Sequence, residues 1–306
     1  MLPVKPETAS PQDNPGSRAG ILSGIASPPD RLENLSSFGS QDGPEGDLFS
    51  PSTLRRYTQT VMSSPLRIAG VIPARLGSTR LSRKVLRPIA GRPMVEWVWR
   101  AAADSGLMDP VVVATDSEEV ATACREGNIP FEMTSPDCAS GSDRVREVAS
   151  RIAADIYVNI QGDEPTLTPD FFAPLIQLFD RAEVQVATLA VRCPAEDIAN
   201  PNAVKVVTAS NDRALYFSRS TIPFDRDAAG FAGYRKHLGI YAYRKAALEQ
   251  FASLSPGTLE TTERLEQLRL LENGIDIYVA TAPADTIGVD TEEDLVRAEA
   301  ILKSRL

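Results

Sequence analysis

Between Arg75 and Lys84 the chain reads Arg-Leu-Gly-Ser-Thr-Arg-Leu-Ser-Arg-Lys. Arg75, Arg80 and Lys84 bring three positive charges within ten residues, Gly77 lets a backbone come close to a ligand, and Ser78 and Thr79 add N–H and hydroxyl donors. That combination suits a polyphosphate. It is neither G-x-x-x-x-G-K-[ST] nor G-x-G-x-x-G, so a Walker-type NTPase and a dinucleotide dehydrogenase both lose their main support. A second stretch, Asn159-Ile-Gln161-Gly-Asp163-Glu-Pro165, puts two carboxylates in a tight turn at the end of an apolar run. Mg²⁺ takes hard oxygen ligands and typically keeps one or two carboxylates plus substrate phosphates, which makes Asp163 a candidate ligand. Asp290 follows another buried run, and it either joins Asp163 on one ion or caps the next helix.

Ser140-Gly-Ser-Asp143-Arg144 opens a helix with hydroxyls and a glycine. Free N–H groups there suit an anion, although an ordinary cap has the same composition. His237, the one histidine, lies with Tyr241 on the strand-like run Lys236–Arg244, where a lone histidine is more often structural than catalytic. Glu260, Glu266 and Gln267 fall on one expected amphipathic helix, whose polar residues usually form a solvated face. No Ser-His-Asp or Cys-His elbow supports a covalent mechanism. The residues alone reach a Mg²⁺-assisted enzyme acting on a nucleotide polyphosphate, with a second polar substrate held elsewhere.

Strands must carry these loops at their carboxyl ends, where open α/β sheets place ligands. Ile68–Ile72 is β-branched and apolar and stops at Pro73, which has no N–H to pass on. Further strands are expected at 110–115, 129–133 and 155–160. Helices are expected at 94–103, from Ser117 onward, at 140–154 and at 169–181. This alternation predicts an α/β fold with a mostly parallel central sheet flanked by helices. After residue 200 the pattern changes. Strands at 204–208, 214–218 and 237–244 read as a smaller antiparallel part (about 203–245), followed by a helix at 258–273, a strand at 275–280 and a closing helix at 291–304.

The chain has 306 residues, 42% hydrophobic and 24% charged, as expected of a protein with a real core. A net charge of -9 argues against non-specific nucleic-acid binding, so an anionic substrate must meet a local basic site on an acidic body. Cys124, Cys138 and Cys193 are widely spaced, which indicates neither a zinc site nor a disulfide framework. No apolar run approaches the roughly 18 residues that span a bilayer. Residues 1–65 are rich in Pro, Ser and Gly and read as a disordered extension before a domain at 66–306. They lack the apolar segment of a secretory signal, and their acidic residues do not suit a transit peptide. A cytoplasmic location is expected.

Taken together, Ile72-Pro-Ala-Arg-Leu-Gly-Ser-Thr-Arg-Leu81, Gly91-Arg-Pro-Met94, Ala114-Thr-Asp116, Ala139-Ser-Gly-Ser-Asp-Arg144, Asn159-Ile-Gln-Gly-Asp-Glu-Pro165, Asn200-Pro-Asn-Ala-Val-Lys-Val-Val207, Ala214-Leu-Tyr-Phe-Ser-Arg-Ser220, Lys236–Arg244, Leu265-Glu-Gln-Leu-Arg269 and Gly288-Val-Asp-Thr291 resemble the 3-deoxy-manno-octulosonate (Kdo) cytidylyltransferases, in family order over about 67–302. The resemblance implies a nucleotide-diphospho-sugar-transferase-like fold, a homodimer, and the reaction of CTP with Kdo to give CMP-Kdo and pyrophosphate, an activation step toward lipopolysaccharide. It implies Arg75 and Lys84 at the CTP phosphates with Gly77 and Ser78 beside them. Ser140, Asp143, Arg144 and Gln161 would lie near the cytidine. Asp163 and Asp290 would hold Mg²⁺, and Arg219, His237, Tyr241, Glu266 and Gln267 would bind the acid sugar.

Three departures stand out. Leu81-Ser-Arg-Lys-Val-Leu86 replaces the usual Leu-Pro-Gly-Lys-Pro-Leu, Cys138 stands where histidine is common, and Ser142 where threonine is common. Rival readings are a cytidylyltransferase for 8-amino-Kdo or sialic acid, and a non-catalytic nucleotide-binding scaffold. A glycosyltransferase of similar fold would want a D-x-D-like motif, which Gly-Asp-Glu-Pro is not.

Overall fold

The computed structural model describes residues 66–77, 81–138 and 140–306. The expected extension, Ser78 and Arg80 lie outside the described residues. In chain order the elements are β1 (Ile68–Pro73), the hairpin β2 (Pro88–Ile89) and β3 (Arg92–Pro93), α1 (Met94–Asp104), β4 (Val111–Thr115), α2 (Glu118–Glu126), β5 (Phe131–Met133), α3 (Gly141–Ala149) and β6 (Ile156–Asn159). They continue with α4 (Phe172–Gln177), β7 (Val186–Arg192), β8 (Lys205–Thr208), β9 (Ala214–Ser218), β10 (Arg235–Arg244), α5 (Lys245–Ser253), α6 (Thr258–Glu263), α7 (Leu268–Glu272), β11 (Ile277–Thr281) and α8 (Glu292–Lys303).

The main sheet runs β11-β7-β10-β6-β1-β4-β5. β6, β1, β4 and β5 are parallel, which is why β4 is buried at every residue and β1 up to its terminal proline. One apolar cluster, with Ile72, Val113, Val158 and Phe172, fills one face of the sheet. A second, with Val71, Tyr157, Tyr243 and Phe251, fills the other. The mostly parallel α/β sheet flanked by helices is as expected, and β8 and β9 form the smaller antiparallel part.

Several elements differ from the sequence expectation. β10 is not confined to the antiparallel part: it lies inside the main sheet, where Tyr241 pairs with Asn159 of β6 and with Thr188 of β7. β7 was not expected at all. Its alanines have little strand preference of their own, and burial between β10 and β11 decides the matter. The helix expected at 140–154 ends at Ala149. The one expected at 169–181 keeps only α4 as regular α-helix, between two single 3₁₀ turns.

The single helix expected at 258–273 is two short ones. Thr261 and Thr262 turn their hydroxyls back onto the carbonyls of Gly257 and Thr258, and Arg264 takes a left-handed conformation with φ 55°. Glu260 therefore stays on α6, while Glu266 and Gln267 sit on the turn beyond it instead of a solvated helix face.

Buried charge fixes the other end of the antiparallel part. Lys205 is fully buried, and its ammonium donates to the carbonyls of Asn200 (2.8 Å), Ala203 (2.6 Å) and Arg219 (2.7 Å). The three bonds replace its lost hydration and pin the segment that carries Arg219.

The altered loop before Lys84 has a local cost. Arg83 caps the 3₁₀ turn Lys84–Leu86 with φ 55° and ψ 32°, the left-handed region that glycine occupies freely. A side chain there costs roughly 1–2 kcal/mol, and the pairing of Arg83 with Glu119 is exposed and offsets little of it. Glycine gives back part of the gain through a looser unfolded chain. Arg83→Gly should therefore raise stability by about 0.5–1 kcal/mol. The check is a higher urea midpoint at unchanged slope, and a lower midpoint would contradict the assigned strain.

Candidate active site

The ends of β1 and β6 and the loop before α8 enclose a cleft of about 450 Å³. Gly162 packs so tightly under β1 that an added Cβ would lie 2.9 Å from the Pro73 carbonyl oxygen. This close approach sets the turn that presents Asp163. The Val289 N–H donates to the Asp163 carbonyl at 2.9 Å and ties the second acidic segment to the first. Asp290 does not cap the helix with its side chain: Thr291 does so, in a capping box closed by Asp294.

Between the two acids lies the Lys84 ammonium, which donates to Asp163 Oδ2 at 2.5 Å and to Asp290 Oδ1 at 2.8 Å. Asp163 and Asp290, far apart along the chain, thus come within a few ångströms of each other at the cleft. Burial opposes the charged ammonium, but the two carboxylates outweigh it and raise its pKa above the ordinary lysine value.

Positive charge lines the same cleft. Arg75 is exposed into the cleft beside Gly77. Ser140 and Gly141 bring the N-terminus of α3 to the same space. Arg144 is buried, and its guanidinium is held by Asp116 at 2.9 Å and Thr134 Oγ1 at 2.5 Å. Ser140 and Asp143 do form a capping box: the Asp143 N–H donates to Ser140 Oγ at 3.1 Å, and the Ser140 N–H donates to Asp143 Oδ2 at 3.0 Å. The Asp143 carboxylate is thus engaged at its own helix end, and Asp143 lines the groove behind α3 instead of the cleft.

A smaller chamber of about 190 Å³ adjoins the cleft, and Gln161 lines both. His237, Tyr241, Glu266 and Gln267 meet there, with Ser142 and Asn159. Three buried polar atoms of this lining have no hydrogen-bond partner among the described residues: Asn159 Oδ1, the Tyr241 hydroxyl and Gln267 Nε2. Such atoms are costly unless a ligand satisfies them. Burial pushes the His237 ring down to about 3, so it is neutral. Thr188 Oγ1 lies 2.7 Å from the Ile240 carbonyl and 3.1 Å from His237 Nε2, so a hydroxyl donating to the carbonyl accepts from the ring. Next to Asp163, Glu164 is buried; burial, and then Asp163, push its carboxyl up to about 7.

Arg219 does not line either space. Its Nε donates to Glu263 O at 2.8 Å, and its Nη atoms to Pro201 O at 3.0 Å and Arg264 O at 3.4 Å. Asp116, Thr134, Asn159, Glu164 and Ser142 acquire their places only in three dimensions. For Asp116, Ser142, Asn159 and Glu164 the sequence signal was their position inside the runs Ala114-Thr-Asp116, Ser140–Arg144 and Asn159–Pro165, without a role for each; Thr134 lies in none of these runs and carried no signal.

A larger groove of about 630 Å³ lies beside Cys138, Glu147 and Lys245. Burial and the bond to Glu147 push the Cys138 thiol up to about 11, which removes it as a nucleophile. The acids and unpaired polar atoms converge on the other two spaces, and the chemistry belongs there. Among the described residues no group of three or more His, Cys, Asp or Glu side chains could by itself hold a metal ion. No described helix is long and apolar enough to cross a membrane.

The family described as Cytidylyltransferase matches residues 69–277. A 3-deoxy-manno-octulosonate cytidylyltransferase of Acidobacterium capsulatum is 65% identical over 242 residues, covering 79% of this chain and 99% of that protein. Its namesake from Koribacter versatilis is 54% identical over 245 residues, with coverage of 80% and 94%. The solved structure of a CMP:2-keto-3-deoxy-manno-octonic acid synthetase complexed with CTP matches with a TM-score of 0.75 and 41% identity, covering 78% of this chain and 100% of that one. A nucleotidyl transferase of Methanothermobacter, at 15% identity and a TM-score of 0.53, shares the fold. With this coverage and identity, the chain belongs to the 3-deoxy-manno-octulosonate cytidylyltransferase family.

Proposed function

We propose that the protein transfers CMP from CTP to the anomeric hydroxyl of Kdo, giving CMP-Kdo and pyrophosphate for lipopolysaccharide or related glycan synthesis. The observation that carries this reading is the junction at Gln161, where a cleft with paired acids and cations meets a chamber with unpaired, neutral hydrogen-bonding atoms. The first suits a nucleoside triphosphate and the second a polyhydroxy acid. The anomeric oxygen attacks the α-phosphorus in line, the bond to the β-phosphate oxygen breaks, and pyrophosphate leaves.

Arg75 and the Lys84 ammonium stabilise the charge on the phosphates, and Gly77 and the α3 N-terminus let backbone N–H groups approach. Arg144, fixed by Asp116, and Ser140 lie on the nucleotide side. Tyr241, Glu266 and Gln267 bind the sugar hydroxyls. His237 serves as a neutral hydrogen-bonding group, since burial keeps it unprotonated. Arg219, expected at the sugar, is instead committed to three backbone carbonyls and lines neither space, so no sugar contact is assigned to it.

Asp163 and Asp290 are the residues that would hold Mg²⁺. Their oxygens are of the hard type it prefers, and a cation, the Lys84 ammonium, already fits between them. A bound Mg²⁺ supplies neutralisation of phosphate charge. A homodimer is supported by exposed Leu215, Phe224 and Phe231 on and after β9, with Phe224 83% exposed.

The reaction itself is tested by pyrophosphate release with CTP against other NTPs, offering Kdo, its 8-amino analogue and sialic acid; a preference for another sugar or no release would overturn the reading. Arg75→Ala should lose about 2–4 kcal/mol of transition-state stabilisation, read as kcat/KM. Asp163→Asn and EDTA treatment should each nearly abolish turnover, and full activity after EDTA would count against the metal.

His237 also makes a pH prediction. An unfolded chain protonates this imidazole near pH 6.5, whereas the folded protein does so only near 3. Between those values the unfolded state binds the extra proton, so this group makes stability rise with pH. His237→Gln should flatten the pH dependence of the urea midpoint across that window. An unchanged slope would mean the ring is not buried as a neutral group.

A further inference from the structure

Ser142 is the residue through which the nucleotide helix reaches the sugar chamber. Its neighbours Ser140 and Gly141 line the phosphate cleft, while Ser142 itself is buried and lines the other space. Its hydroxyl donates to Glu266 Oε2 at 2.8 Å, across 124 residues of chain. Glu266 sits on the turn between α6 and α7, outside any helix. Among the described residues Ser142 is the hydrogen-bond donor to its carboxylate.

We propose that Ser142 is a positioning residue for the acid sugar: it fixes one Glu266 oxygen so that the other faces the substrate as an acceptor, beside the unpaired Tyr241 hydroxyl and Gln267 Nε2. This deepens the function proposed above and rests on it. A carboxylate accepting from a sugar hydroxyl makes a charge-assisted bond, stronger than a neutral one and dependent on geometry. Without Ser142 the side chain must be ordered when the sugar binds, and that ordering subtracts from affinity. Arg75, Lys84 and the acid pair do not touch Ser142 in the structure's hydrogen bonds, so the nucleotide side should be spared.

The experiment is steady-state kinetics on the full chain with CTP and Kdo. Ser142→Ala should raise the KM for Kdo about tenfold, the size expected for a bond to a charged group. The KM for CTP should stay within about twofold. Ser142→Thr, which keeps the hydroxyl, should restore the Kdo value. In a double-mutant cycle with Glu266→Ala, which removes the acceptor altogether, the two losses should not add, because Ser142 acts only through that carboxylate.

A purely structural serine would give a different outcome: a lower melting temperature with both KM values moved equally, or additive losses in the cycle. Either result overturns the proposal, as does an unchanged KM for Kdo in Ser142→Ala. A wild-type protein that is inert with Kdo would remove the function itself and this proposal with it, whereas an active wild type with an unaffected variant removes only the role of Ser142.

Discussion

Two carboxylates held close together in one cleft repel each other. At a separation of about 5 Å and an effective dielectric of about 20 the cost is about 3 kcal/mol. The fold accepts Asp163 and Asp290 as neighbours because Lys84 places its ammonium between them. Three segments of chain are thereby tied to one nitrogen: the turn after β6, the loop before α8 and the 3₁₀ turn after β1. The remaining order of the cleft follows from that tie. Gly162 must be small because the Asp163 turn is pressed against Pro73, and the Asp290 side chain must be released from capping, which Thr291 undertakes.

The same strand end separates the two halves of the site. β6 is flanked by β1, which leads to Arg75 and Gly77, and by β10, which carries His237 and Tyr241. Asn159 is the last residue of β6 and Gln161 follows two positions later, so both substrates of the proposed reaction are addressed from one short segment. Placing β10 inside the sheet, antiparallel to β6, is what brings the chamber at Tyr241 against the cleft at Lys84.

Much of this was legible in the sequence because the strongest signals were local. Apolar runs closed by Pro73, and the Gly-Asp-Glu-Pro turn, each declare a strand end bearing polar groups. The parts that were not legible depend on contacts remote in sequence. β7 is held by its neighbours on both sides more than by its own alanines. The run Thr258–Asn273 has helical spacing, but two threonines that bond back to the chain and the left-handed Arg264 split it, which moves Glu266 and Gln267 from an expected water-facing helix to the chamber. The helix start at Ser140–Asp143 was open to either a cap or a ligand site. The structure makes Asp143 a cap and turns it away from the cleft, while Ser140 both caps and lines it.

The cations of the site differ in how far they are committed in advance, and this shapes how an acidic protein can hold a triphosphate. Arg144 is locked by Asp116 and Thr134, so its position needs no rearrangement when substrate arrives. Such preorganisation is where electrostatic catalysis gains most, because the dipoles and charges already point at the place where charge will develop. Lys84 is different: both its bonds go to acids that must themselves be satisfied if it turns toward phosphate. Arg75 has no side-chain partner among the described residues and stands exposed in the cleft. In the proposed reaction a phosphate would meet Arg75 without displacing a side-chain contact among the described residues, whereas recruiting Lys84 would require another positive charge at Asp163 and Asp290. The net charge of -9 works in the same direction, since a body that repels anions leaves these few placed cations to decide where a polyphosphate can settle.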